Sequence, residues 1–170
     1  MLDRAAITDR ALPCPPWSTS HDVEVAVRAL AAASKKTGLA AGSGVLFAIG
    51  NPHVHTYWPA VLSVIPRLEP ILRDGTEIAR VRTLDVLLEL VILSAPEPGF
   101  EVVETPTGAR DLAHLVHEAI ARLAPVLEAI AAPAAPAAPA APAAPAAPSA
   151  RAARLARELL GCLAPPPRPR

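Results

Sequence analysis

Aromatic residues are nearly missing from this 170-residue chain: Phe, Trp and Tyr together make up 3% of it, although 52% of its residues are hydrophobic. A core must therefore be assembled from Leu, Val, Ile and Ala, which suit closely packed helices better than sheets. The expectation is an all-α protein. Net charge is missing too, since sixteen basic residues offset sixteen acidic ones. No global field then favours nucleic acid or an anionic membrane, and neither is expected as a partner.

Cysteine is scarce. Cys14 and Cys162 lie near opposite ends, without a CxxC or metal-ligand spacing, and read as inert free thiols in a reducing cytoplasm. Every apolar run is broken by Pro, Arg or Asp before the ~18 residues that a membrane span needs. The first residues, MLDRAAITDRALPC, include acids and no continuous apolar stretch, so neither a secretory signal nor an anchor is expected. The expected location is cytoplasmic, and no cofactor is implied.

What is present is organised around residues 57–93, an apolar stretch with one charged break at Arg73-Asp74-Gly75-Thr76. It reads as two helices joined by a tight turn. Thr56 is the expected cap of the first, with Pro59 in the first turn, where a missing N–H costs little. Pro66 and Pro70 are expected to kink this helix. In the second, Arg82, Asp85 and Glu89 form one narrow polar stripe, and apolar residues cover most of the remaining circumference. Such a helix must be enclosed by neighbours.

Around the hairpin the chain divides into an irregular leader (1–19), a helical domain (20–131), a spacer (132–149), a short amphipathic helix (150–164) and a tail (165–170) expected to be disordered. Thr19 or Ser20 can cap a helix running to about Lys36, with Gly38 as its stop. Residues 39–50 carry no charge and must be buried if ordered. Helix is favoured over strand there because nothing else offers a sheet to join. Residues 100–104 alternate as a strand would, and a hairpin turning at Pro106-Thr107-Gly108 would be marginal alone. A long helix is expected from Asp111 to about Ile130, bent before Pro125. Six Ala-Ala-Pro triplets over 131–148 forbid a continuous α-helix and favour an extended, polyproline-like spacer of about 55 Å. Ser149 can cap the basic helix that follows, pictured as a tethered second binding element.

The hairpin resembles a HEAT-type helical repeat. Leu68, Ile71 and Leu72 precede Asp74 in the turn, Ala79-Arg80 matches the dipeptide that opens the second helix, and Leu84, Leu87 and Leu88 fall at its core positions. The resemblance implies that Asp74 and Arg80 take part in a turn-stabilising contact. It also implies a short array of antiparallel helix pairs, an α-α superhelix, serving as a non-catalytic scaffold that binds another protein. The resemblance covers residues 57–93, and a solenoid normally needs at least about three stacked units.

Candidate sites are few. His53 and His55 sit on a loop before Tyr57 and Trp58, a polar-aromatic stretch suited to contacting a partner. Two imidazoles alone make an incomplete metal site. Asp111, His114, His117 and Glu118 have helical spacings that could converge on a cation, but their sector also carries Arg122 and reads as solvated surface. Gly42-Ser43-Gly44 lacks the third glycine, the lysine and the preceding strand of a phosphate-cradling loop. The residues expected to meet a partner are His53, His55, Tyr57, Trp58, Arg82, Asp85 and Glu89. Two other functions compete with the scaffold: an immunity or antitoxin-like protein that occludes one enzyme, and, last, a metal enzyme built on His53, His55 and Tyr57.

Overall fold

The computed structural model describes residues 12–132 and 149–164. The expectations placed on residues 1–11, on the repeat at 133–148 and on the tail at 165–170 lie outside the described residues. Seven α-helices, one π-helical turn and five short strands make up the described chain, so it is mostly helical with small β elements.

Helix α1 (Ser20–Ala31) opens on a capping box: Asp22 N–H donates to the Thr19 hydroxyl, and the Asp22 carboxylate accepts the Thr19 N–H at 2.8 Å. Val23, Val27 and Leu30 are buried at their helical spacing. The helix ends at Ala31 and does not reach Lys36. A turn intervenes, in which the Ser34 N–H donates to the Thr37 hydroxyl at 3.0 Å and the Gly38 N–H donates to the Ser34 carbonyl at 2.8 Å. Gly38 thus opens the next helix, α2 (Gly38–Ile49), where it was expected to close the previous one. A Cβ at Gly38 would lie 2.9 Å from Ile78 Cγ2, so a small residue is needed where this helix crosses its neighbour.

The uncharged stretch is therefore helical, and it leads into a sheet that the sequence did not announce. Strand β1 (Gly50–Asn51) pairs antiparallel with β2 (Thr56–Tyr57), which pairs parallel with β3 (Ala95–Pro96). Thr56, expected to cap a helix, lies in this sheet and donates its hydroxyl to Glu97. Helix α3 (Val61–Asp74) starts after Pro59 and continues through Pro66 and Pro70, both exposed. The N–H that each proline lacks is thus missing on the solvent side.

Helix α4 (Glu77–Leu88) is capped by Thr76, whose hydroxyl accepts the Ala79 N–H at 3.2 Å, and gives way to the π-helical turn Glu89–Leu93. The small hairpin does form, from β4 (Val102–Thr105) and β5 (Gly108–Asp111). Gly108 supplies the positive φ of 109° after its two-residue turn. The expected long helix is two helices, α5 (Leu112–Ala121) and α6 (Ala124–Ala131), with Pro125 in the first turn of α6. A proline there would block bonding to the carbonyl four residues back, so the chain breaks at Arg122–Leu123 and restarts.

Helix α7 (Ala150–Leu163) buries Ala152, Leu155, Ala156 and Leu159 in the same core as the other helices. It packs on α4 and α6, so it is not a free appendage. Central α4 touches α2, α3 and α7. Its neighbours α2 and α7 run alongside it in the same direction. Gly38 faces Ile78 and Arg82 while Gly42 faces Arg82 and Val86. Ser149 meets Glu77, Arg151 meets Asp85, and α7 continues to the π turn. No helix of the described residues is long and apolar enough to cross a membrane.

Candidate functional site

The turn from α3 to α4 is held by a buried cation. Arg80 is 5% exposed; its Nε donates to the Leu72 carbonyl at 2.8 Å and its Nη2 to the Arg73 carbonyl at 3.3 Å. Those carbonyls end α3 and have no helical N–H to accept, so a guanidinium placed there also meets the negative end of the helix dipole. Nη1 lies 3.3 Å from Glu77 Oε2, and Glu77 in turn accepts the N–H and hydroxyl of Ser149. One chain of contacts thus joins the end of α3 to the starts of α4 and α7. Asp74 is exposed, and among the described residues no hydrogen bond or ion pair joins it to Arg80.

The aromatic loop divides. Tyr57 is 2% exposed, and burial, with a smaller contribution from Asp111, pushes its phenol up to about 12. Trp58 packs against Phe100 with ring centroids 4.2 Å apart and the ring planes tilted by 40°, and its indole N–H is buried without a partner among the described residues. Both aromatics are thus largely committed to packing. His53 and His55 are exposed. His55 has a positive φ of 52°, a conformation that costs a non-glycine residue energy and must be held by its surroundings. It is held at both ends: Nδ1 lies 2.6 Å from Glu89 Oε1, and its carbonyl accepts the Ala95 N–H at 2.9 Å. The imidazoles of His53 and His55 are not joined by a third ligand. Among the described residues no three His, Cys, Asp or Glu side chains gather as a metal would require.

Each member of the α4 stripe has an intramolecular partner. Arg82 Nη1 lies 3.0 Å from Asp85 Oδ2, which also takes Arg151 Nη2 at 3.4 Å, and Glu89 holds His55. The stripe remains half-exposed along α4, beside the close contact with α2. Elsewhere, Glu118 gathers Arg110 at 2.8 Å, His114 at 3.0 Å and Arg122 at 3.7 Å. The Arg110 hydrogen bond foremost holds its carboxyl below the usual range. Asp111 is spent capping α5, through the His114 N–H at 2.6 Å, and His117 is exposed. Residues 42–44 lie inside α2, with Gly42 against α4, so they form no loop around a phosphate. Burial pushes the Cys14 thiol up, and Cys162 is exposed.

No family model, curated protein or solved structure matches the chain. The site must be judged on its own geometry.

That geometry adds residues the sequence reading passed over. Leu39 is 69% and Phe47 49% exposed on the outer side of α2, and Trp17 leans on Phe47 with ring centroids 5.8 Å apart. The Trp17 indole N–H donates to the Phe47 carbonyl at 3.1 Å. Further along, Val54, Ile92 and Leu93 are exposed beside the His55–Glu89 contact. The missed signal is in the pattern of 39–50. Burying one face of a 12-residue helix leaves its other face outside, and a charge-free helix then presents apolar surface to solvent.

Proposed function

We propose that this chain is a non-catalytic protein-binding scaffold built as a short HEAT-like array of three helix pairs: α1 with α2, α3 with α4, and α5–α6 with α7. The observation that carries the reading is that α2, α4 and α7, the second helices of the three pairs, lie side by side and run in one direction, each packed on its preceding helix. Three units match the minimum that a stacked array needs to bury a continuous core. Arg80 then plays the part that the resemblance assigns to the turn, working through carbonyls.

The docking face is the outer side of α2 with the neighbouring α4 stripe: Trp17, Leu39 and Phe47 supply apolar anchors, and Arg82, Asp85 and Glu89 supply a charged margin. Tyr57 is too deeply buried to take part. Exposed aromatic and aliphatic anchors bordered by polar groups are the usual make-up of a recognition surface. Capture from the native cytosol, comparing the chain with a Leu39→Glu/Phe47→Glu variant of unchanged helicity and melting temperature, tests it. A partner retained by the parent and lost by the variant supports the reading. Identical partners, or none, would overturn it.

A further inference from the structure

We infer that the partner of the α2 docking face, on which reading this rests, is a second copy of this chain, with two α2 helices crossing antiparallel about a two-fold axis. The face fits itself in shape. Leu39 and Phe47 stand about 12 Å apart along the helix axis, and the exposed Ala40 and Ser43 and half-buried Gly44 lie between them. In an antiparallel crossing the two large side chains of one copy pass on either side of the small residues of the other, and the backbones can approach closely. A Cβ at Gly44 meets nothing within 4 Å, so the centre of the face is open to such an approach. No residue from 37 to 50 is charged, so the seam opposes no like charges.

The two ends of the face carry opposite charge. Helix α1 runs antiparallel to α2, because Trp17, just before α1, rests on Phe47 near the end of α2, and the turn at 32–37 joins their other ends. Asp22 and Glu24, at the start of α1, therefore lie at the Phe47 end, whereas Lys35 and Lys36 lie at the Leu39 end. Both lysines are exposed, and among the described residues neither has an ion-pair partner. Helix α4 repeats the order, with Arg82 against Gly38 and Glu89 further along beside His55. A two-fold axis through the middle of α2 sets the basic end of each copy on the acidic end of the other, whereas a parallel crossing would set lysines against lysines. Trp17, Leu39 and Phe47 leave on the order of 300 Å² of side chain uncovered per copy, against roughly 800 Å² per partner in a standard stable interface. The apolar seam alone is too small for a permanent dimer. The charged ends must contribute, which makes the pair reversible and sensitive to salt.

The test is light scattering on the full chain from about 10 to 500 µM, under a phosphine reductant so that exposed Cys162 links no chains. Mass should climb from 17.6 kDa towards twice that value with concentration, and Leu39→Glu/Phe47→Glu should abolish the climb. Lys35→Glu/Lys36→Glu alone and Glu24→Lys alone should each weaken self-association about tenfold, because every altered contact occurs twice in the dimer. An equimolar mixture of those two variants should restore it, which a folding defect in either would not do. A monomer at every concentration, a dimer that survives Leu39→Glu/Phe47→Glu, or a mixture that fails to pair would each overturn the inference. A monomer that still captures a different protein through Leu39 and Phe47 overturns the second copy as occupant and leaves the scaffold standing, whereas a chain that neither pairs nor captures overturns both.

Discussion

Replacing Arg80 by methionine isolates the contact that closes the central hairpin. The substitution keeps most of the side-chain volume and removes donors to two carbonyls that end α3, at 2.8 and 3.3 Å, and to Glu77 at 3.3 Å. Hydrogen bonds from a charged donor contribute about 1.5–3 kcal/mol each, and the abandoned Leu72 carbonyl sits beside a side chain only 5% exposed. Against this, methionine avoids the cost of burying a guanidinium, which returns part of the loss. Glu77 keeps its Ser149 donors and a partly exposed carboxylate, so it adds little. The net expectation is a destabilisation of about 2–4 kcal/mol. In urea, with a slope of about 1.5 kcal/mol/M, the unfolding midpoint should fall by roughly 1.3–2.7 M. Arg73→Ala, which removes the exposed pair with Glu69 and leaves the Arg73 carbonyl in place, should change stability by less than about 0.5 kcal/mol. A midpoint for Arg80→Met within about 0.3 M of the parent, at unchanged slope, would refute the assignment of Arg80 as the clamp of this turn.

Two further outcomes follow from single residues. Tyr57 is the only tyrosine, so tyrosinate absorbance reports it alone. Its folded value is raised from 10.0 to about 12, so its stabilising contribution is whole below pH 10 and is lost as pH climbs from 10 towards 12. Absorbance in the folded chain should rise with a midpoint near 12, and one near 10 would show the phenol to be solvated. Gly50 and Gly44 make a contrasting pair: a Cβ at Gly50 would meet the Thr56 carbonyl oxygen at 2.0 Å, whereas one at Gly44 meets nothing within 4 Å. Gly50→Ala should cost more than about 2 kcal/mol, while Gly44→Ala should stabilise α2 by up to about 1 kcal/mol through helix propensity. Thermal melts showing the two variants alike would remove the basis for the β1–β2 approach.

Much of the helical layout was legible because period and caps agree locally. Thr19, Thr76, Asp111 and Ser149 each cap a helix, and in each case a short side chain with an oxygen precedes an apolar repeat. The errors came where a neighbour decided the outcome. Lys35 and Lys36 looked like a helix end, but the chain leaves α1 at Ala31 and turns through Ser34–Gly38, and Gly38 opens the next helix packed closely on Ile78. Thr56 had the side chain of a cap, yet pairing with Gly50–Asn51 and Ala95–Pro96 draws it into a sheet whose strands are each two residues long. Strands that short leave no alternation to read. The site divides on the same principle: His55 and Glu89 were both singled out, but only the fold brings them within 2.6 Å, and nothing in their spacing of thirty-four residues could pair them.

The end of the chain shows why a break in composition need not be a break in the fold. Residues 131–148 differ so sharply from their surroundings that everything beyond them reads as an attachment. Yet α7 carries the same amphipathic pattern as the domain helices, and Leu155 and Leu159 complete the core between α4 and α6. The decisive quantity is the unfilled apolar surface that the domain would expose without α7. At about 25 cal/mol per Å² of apolar area, burying two leucines and two alanines contributes on the order of several kcal/mol, comparable to the whole stability of a small domain. A linker of any composition that lets α7 reach such a groove will see it filled. The docked position of α7 therefore follows from its apolar face against α4 and α6.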